Sequence, residues 1–349
     1  MPHQRSSPIR FATALLALTV LGLHPASAED GPLLKRLKER REQREQNRAQ
    51  ERTADPATTP DTSSRITQPG DYRYSIQFGG ETRLYRLHVP TSYRPGTPVP
   101  LLFALHGGGG SMDYQADDSS YGQITSSEKN GHIVVVPNGI SRFDSGKLAT
   151  WNAGKCCGQA RDKQVDDVGF IRQIVANLTR QLDIDPKRIY ATGMSNGGMM
   201  AYRLACEMPD VFAAIAPVAG TDNTVACTPT RPVSVLHIHA RNDERVLYEG
   251  GAGFGKRSQD AVTDFKSVPA SLNEWLTHNS CAPTPQRVLD VAGAYCDRYN
   301  ACKNGSEVQL CITETGGHSW PGGKKARAKE GPSQALSAND VMWEFFKRH

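Results

Sequence analysis

Residues 185–207 read DPKRIYATGMSNGGMMAYRLACE. The run changes character at Ser195. Arg188 to Met194 is rich in β-branched and aromatic residues and reads as a buried strand, whereas Asn196 to Cys206 reads as a helix. Ser195 therefore falls on a strand-to-helix turn, inside Gly193-Met194-Ser195-Asn196-Gly197, a G-x-S-x-G pattern. The turn holds its serine in a strained backbone conformation, and the two flanking glycines let the chain pass close to itself. The helix that follows points its positive end at any oxyanion forming beside the serine. Gly198 extends the small-residue surface. Alone, such a pentapeptide arises by chance in about one chain in ten of this length; the strand before it and the helix after it make it specific.

Working outward, Tyr72 to Phe78 and Glu81 to Val89 flank Gly79-Gly80 as a β-hairpin. Val99 to Leu105 is a continuous apolar strand that runs into His106-Gly107-Gly108-Gly109-Gly110. Ile133 to Val136 is a second, closed by Pro137-Asn138-Gly139. Val165, Val168, Ile171, Val175, Leu178 and Leu182 recur at helical spacing, and Asp185-Pro186 ends that helix. Ala213 to Val218, Val233 to His239 and Val308 to Thr313 read as strands; Ser271 to His278 and Ala338 to Phe346 read as helices. Strand and helix alternate, which predicts a mostly parallel sheet covered by helices on both faces.

A serine hydroxyl needs a base to become a nucleophile. On this architecture the partners follow in the order serine, acid, histidine. Asp243 lies in the turn after Val233 to His239 and is the expected acid; Asp222, after the preceding strand, is its competitor. His318 lies in a loop freed by Gly316-Gly317 after the last strand and is the expected base. His278 sits in a helix, His349 ends the chain, and His237 and His239 precede the acid on a strand, where core or supporting roles suit them better. Two backbone N–H donors are needed for the oxyanion. Asn196 supplies one, and the glycine run after His106 supplies the other. That run lacks the Lys-Ser/Thr ending of a phosphate-binding loop.

The chain of 349 residues suits one large α/β domain with appendages. Residues 1–28 read as a secretory signal: Arg5 and Arg10, the apolar run Phe11 to Leu23, then Ala26-Ser27-Ala28. That run falls short of the roughly 20 residues a membrane span requires. Residues 31–53 carry eight Lys/Arg against four Glu, with no large apolar residue after Leu37, and residues 54–70 are rich in Thr, Pro, Asp and Ser. Residues 29–70 are thus expected to be a solvated, disordered tether, with the folded domain at 71–349. The net charge of +5 resides largely in these leading segments, so the main domain offers no nucleic-acid surface. All eight cysteines follow the signal, and an even number behind a secretory signal points to disulfides. No Cys-x-x-Cys knuckle suggests zinc. Cys206 is expected to bond Cys156 or Cys157. Cys281, Cys296, Cys302 and Cys311 are expected to pair among themselves, most simply as Cys281 with Cys302 and Cys296 with Cys311.

LHGGGG, WNAGKCCG, VDDVGFI, the elbow run, VLHIHARND followed by Tyr248-Glu249-Gly250-Gly251, and GGHSWPGG occur in that order. From Asp71 to His349 the chain resembles the secreted polyhydroxybutyrate depolymerase and feruloyl-esterase-like family. The resemblance implies an α/β-hydrolase fold, the triad Ser195, Asp243 and His318, and Gly108 as the second oxyanion donor beside Asn196. It implies hydrolysis of carboxylic esters through an acyl-enzyme, with no metal or organic cofactor. The substrate would be a hydroxycinnamoyl ester or a short polyhydroxyalkanoate-type oligoester, with polymer depolymerisation as the alternative. A binding protein on a silent hydrolase fold is the reading from another class, and the intact serine, acid and histidine speak against it. Where members of the family often read His-Gly-Thr-x-Asp, this chain has His239-Ala240-Arg241-Asn242-Asp243, so Arg241 alters the rim. The protein is expected to act as a secreted monomer. The segments Ile140 to Gln164 and Glu244 to Lys266, the latter with Tyr248 and Phe254, should overhang Ser195. Trp151, Trp320 and Tyr248 are candidate substrate contacts, with loop packing as the competing role for the tryptophans.

Overall fold

A ten-stranded sheet organises the computed structural model, which describes residues 64–143, 145–253, 264–324 and 331–349. In chain order its strands are β1 (Gly70–Phe78), β2 (Glu81–Val89), β3 (Val99–Leu105), β4 (Ile133–Pro137), β5 (Ile184–Met194), β6 (Ala214–Val218), β7 (Ser234–Ala240), β8 (Gln286–Val291), β9 (Ala294–Tyr299) and β10 (Val308–Thr313). Helices α1 (Met112–Gln115), α2 (Asp118–Tyr121), α3 (Gln123–Asn130), α4 (Gly158–Asp162), α5 (Asp167–Gln181), α6 (Asn196–Glu207), α7 (Val268–His278) and α8 (Ala338–Phe346) intervene. The spatial order is β1-β2-β4-β3-β5-β6-β7-β10-β9-β8. The six strands from β4 to β10 run parallel, and antiparallel pairs extend the sheet at each end.

Apart from the leading stretch of β5, the parallel strands are buried along nearly all of their length, as continuous apolar sequences covered on both faces should be. Phe103, Ile171, Met200 and Trp275 belong to one core cluster; Tyr190, Val218, Trp343 and Phe346 belong to another. Helix α6 is buried over almost every residue from Asn196 to Cys206, because Gly197, Gly198, Ala201 and Ala205 let it lie close to the sheet.

The expected hairpin and parallel strands are present, within a few residues of their expected limits. Three details differ. β5 begins at Ile184 and takes in Asp185-Pro186, since the proline lies in the partly exposed leading stretch of the strand. The hairpin β8–β9 was not expected; β8 is exposed on most of its length, so it lacks the apolar contrast that marks a strand. The folded part also starts before residue 71. The N–H of Ile66 donates to the Gln181 carbonyl (2.9 Å), Ile66 is buried, and Arg65 pairs with Asp183 at 2.6 Å. The expected signal, the charged run 31–53 and Phe254 lie outside the described residues. Among the described residues no helix is long and apolar enough to cross a membrane.

The disulfides are Cys156–Cys157, Cys206–Cys227, Cys281–Cys302 and Cys296–Cys311. The last two are the expected pairs. Cys206 is a correction: it bonds Cys227, not Cys156 or Cys157. Its place near the end of α6 faces the loop after β6, where its sulfur also approaches the Ala226 carbonyl (3.8 Å), while the two vicinal cysteines bond each other.

Candidate active site

Ser195 sits between β5 and α6 with φ 56° and ψ −120°, a left-sided conformation that a side-chain-bearing residue adopts only under constraint. Its N–H donates to the Val218 carbonyl (2.8 Å), tying the turn to β6. The flanking glycines are a steric necessity. A Cβ at Gly197 would stand 2.2 Å from the Leu105 carbonyl oxygen, and one at Gly193 would stand 2.5 Å from the Gly197 carbonyl carbon. Gly220 is a third position of this kind, where a Cβ would meet the Ser195 carbonyl oxygen at 2.3 Å.

β6, β7 and β10 follow β5 in the sheet, all parallel, so the loops after Met194, Ala240 and Thr313 leave one edge. Asp243 and His318 meet there: His318 Nδ1 lies 2.8 Å from Asp243 Oδ2. The other carboxylate oxygen accepts the N–H groups of Arg245 (2.8 Å) and Val246 (3.0 Å). Burial alone would raise the Asp243 pKa. The hydrogen bond and charge of His318, the nearby His239 and the Arg245 N–H more than offset it, and the carboxyl titrates below its ordinary range. Asn242 joins the two loops, its Oδ1 accepting the Gly317 N–H at 2.9 Å. Asp222 is turned elsewhere, accepting from Trp275 Nε1 and from the Thr224 N–H, both at 2.9 Å.

The glycine loop is placed by His106. Its Nε2 accepts the Gly139 N–H (2.9 Å), which leaves the proton on Nδ1 to donate to the Gly107 carbonyl (2.9 Å). The amides of Gly109 and Gly110 donate to Ala149 and Gly107. Gly108 lies against Asn196; a Cβ at Gly108 would be 3.5 Å from that of Asn196. Asn196 is the first residue of α6, whose leading N–H groups have no partner within the helix.

The three candidate substrate contacts are all packed against neighbouring side chains or main chain. Trp151 is fully buried, and its indole N–H donates to the His106 carbonyl (3.0 Å). Trp320 is packed edge-on against Tyr121, and Tyr248 is covered by the Arg241 guanidinium, 4.2 Å from its ring centre. These contacts are those of loop-packing side chains. Leu148 was not singled out in the sequence. It is 58% exposed and lies against Gly109, 4.0 Å from that residue's Cβ position. Its only signal is an apolar residue in a polar loop.

Two motif segments acquire a physical reason. In VDDVGFI, Asp166 caps α5 by accepting the Gly169 N–H (2.8 Å). The buried Asp167 accepts from Arg83 (2.6 Å) and from the Asn152 N–H (2.8 Å). Arg203 on α6 grips the Asn152 carbonyl at 2.6 Å. The loop carrying Trp151 is thereby locked between the hairpin, the start of α5 and the elbow helix.

The sheet, the elbow and the Asp–His pair define an α/β-hydrolase. The chain belongs to the Esterase family, whose sequence profile matches residues 77–320. Feruloyl esterase B of Piromyces equi is 32% identical over 241 residues, covering 67% of this chain and 42% of that relative, so this chain spans less than half of its length. Feruloyl esterase C of Emericella nidulans is 28% identical over 270 residues, covering 76% and 83%. Acetyl xylan esterase from Aspergillus awamori has the same fold, with a TM-score of 0.53 at 14% identity, covering 79% of this chain and 99% of that one.

Proposed function

We propose that this protein is a secreted, monomeric serine esterase that hydrolyses hydroxycinnamoyl esters through an acyl-enzyme. Residues 1–28 would serve as its signal and the residues up to about Ser64 as its tether. The observation that carries the reading is the 2.8 Å bond from His318 Nδ1 to Asp243, on the sheet edge where the strained Ser195 also stands. Since Nδ1 donates to the carboxylate, Nε2 is the basic nitrogen and takes the Ser195 proton as the hydroxyl attacks the ester carbonyl. Asp243 holds that tautomer and stabilises the imidazolium. The N–H groups of Gly108 and Asn196 receive the oxyanion. His318 then protonates the leaving alcohol, and water, deprotonated by the same nitrogen, clears the acyl-enzyme. Leu148 offers an apolar contact for the aryl group.

The names of the relatives favour the feruloyl reading over a polyester one. The test is a parallel assay on methyl ferulate and hydroxybutyrate oligomers, with Ser195→Ala as the control. Faster turnover of the oligomers would reverse the substrate assignment, and activity that survives Ser195→Ala would remove the mechanism.

A further inference from the structure

Behind the acid runs a line of buried side chains that the ester chemistry does not touch. Tyr202 Oη lies 2.8 Å from His237 Nδ1, His237 Nε2 lies 3.1 Å from His239 Nδ1, and His239 Nε2 lies 2.7 Å from the Val246 carbonyl oxygen. All three side chains are buried. The direction of every bond follows from its last acceptor. A carbonyl oxygen only accepts, so His239 Nε2 carries a proton. Burial lowers the pKa of both histidines, reinforced for His237 by the neighbouring imidazole and only partly opposed for His239 by Asp243 and the Val246 carbonyl, and so favours their neutral forms. His239 Nδ1 is therefore an acceptor, His237 Nε2–H its donor, and His237 Nδ1 the acceptor of the Tyr202 hydroxyl. Each tautomer fixes the next.

The line ends on the turn that holds Asp243. Val246 donates its N–H to Asp243 Oδ1 (3.0 Å) while its carbonyl receives the His239 N–H. The same His239 Nε2 lies 3.5 Å from Asp243 Oδ2, the oxygen bonded to His318. The line begins on α6, two turns after Ser195. It therefore couples the helix that presents the nucleophile to the turn that presents the acid, through β7.

We propose that His239 is a positioning residue for the acid, kept in its Nε2–H tautomer by His237 and Tyr202, so that Asp243 meets His318 in the geometry catalysis needs. The proposal rests on Asp243 being the acid of the triad. It explains why two histidines alternate on a fully buried strand, where apolar residues would pack at lower desolvation cost.

The experiment uses the full-length protein with His239→Leu, His239→Gln and Tyr202→Phe. It reads kcat and KM on a short nitrophenyl ester, the downfield proton resonance of the His318–Asp243 bond, and the melting temperature. Glutamine keeps an acceptor towards His237 and a donor towards Val246; leucine keeps neither. The expected result for His239→Leu is a kcat lower by about tenfold or more with KM within about twofold, and a shifted or lost resonance. His239→Gln should recover most of both. Tyr202→Phe, which removes a single oxygen, should lower kcat by about threefold with KM unchanged. A folded His239→Leu protein with wild-type kcat and resonance overturns the proposal, whatever its melting temperature. If that variant does not fold, unchanged kcat and resonance in Tyr202→Phe overturn it. Ser195→Ala, run alongside, separates the two readings: its retained activity would sink the triad itself, whereas an inactive Ser195→Ala beside unaffected His239 and Tyr202 variants would sink only the positioning role.

Discussion

Trp151 and Asn196 hold each other by a reciprocal pair of hydrogen bonds. The Trp151 N–H donates to Asn196 Oδ1 at 2.8 Å, and Asn196 Nδ2 donates to the Trp151 carbonyl at 3.0 Å. The Asn196 side chain is thus spent on locking a loop, and in the proposed mechanism its main-chain N–H is left for the oxyanion. Asn196→Asp turns the second donor into an acceptor facing a carbonyl and places negative charge beside the oxyanion site. Its kcat should fall by about a hundredfold, and its stability by about 2 kcal/mol. Steady-state kinetics and urea unfolding check both; wild-type kcat would mean that the pair has no part in shaping the site.

Trp151→Ala should lower the activity on every ester alike and lower the melting temperature, because the indole is enclosed and bonded to His106. A loss of about 3 kcal/mol is expected for a buried tryptophan. Leu148→Ser should instead leave stability within about 0.5 kcal/mol and raise KM for methyl ferulate relative to a short acetyl ester by about fivefold. The reverse pattern, with Trp151 selective and Leu148 silent, would restore the tryptophan to the substrate.

For the triad, Ser195→Ala, His318→Ala and Asp243→Asn should each lower kcat by about three orders of magnitude or more with the fold retained. Asp222→Asn is the informative control. It weakens bonds to Trp275 and Thr224 and should cost stability while sparing kcat within about threefold. If Asp222→Asn were inactive and Asp243→Asn active, the acid would have to be reassigned.

Acid should weaken the fold through its buried histidines. His132 stacks on Trp343 (ring centres 4.3 Å apart), neither ring nitrogen has a hydrogen-bond partner, and burial, with a small push from His88, drives its pKa down to about 3. The unfolded chain binds this proton near the ordinary histidine value of about 6.5. Between these values the unfolded state holds more protons than the folded one, so stability is full above the upper value and falls as pH drops through the window. His132→Phe should flatten the dependence between about pH 6 and pH 4 by up to about 1.4 kcal/mol per pH unit. Urea midpoints over this range decide it; equal slopes for both proteins would acquit His132.

Mapping without reduction should recover Cys206 joined to Cys227. Replacing both with alanine should cost about 2–4 kcal/mol, since the bridge closes a loop of 21 residues. A Cys156–Cys206 or Cys157–Cys206 peptide would contradict the pairing found here.

What could be read in advance divides along physical lines. The strands β3 to β7 and β10 are apolar because both their faces are covered, and the elbow is legible because only glycine fits at 193 and 197. Asp243 and His318 could be placed from chain order, since each follows a recognisable strand. The role of Trp151 could not: a large aromatic in a loop near the site has the same sequence signature whether it faces substrate or, as here, the His106 carbonyl. Nor could the partner of Cys206, because β6 and its loop bring Cys227 to the helix only once the sheet is formed. β8 escaped because its exposed faces leave no apolar rhythm.

The cross-links also set a timetable. Made from its N-terminus, the chain yields β1 to β4 before its first cysteine, Cys156. Phe103 can pair with Val135 of β4 but must then wait for Ala191 to supply its second partner strand. During that interval the apolar runs Leu101 to Leu105 and Ile133 to Val136 lack part of the cover they have in the fold, and no covalent bond can shelter them. Oxidising conditions secure only what arrives later. The yield of correctly assembled protein therefore depends on how quickly β5 reaches β3, and additives that suppress early self-association should help recovery more than a richer supply of oxidant.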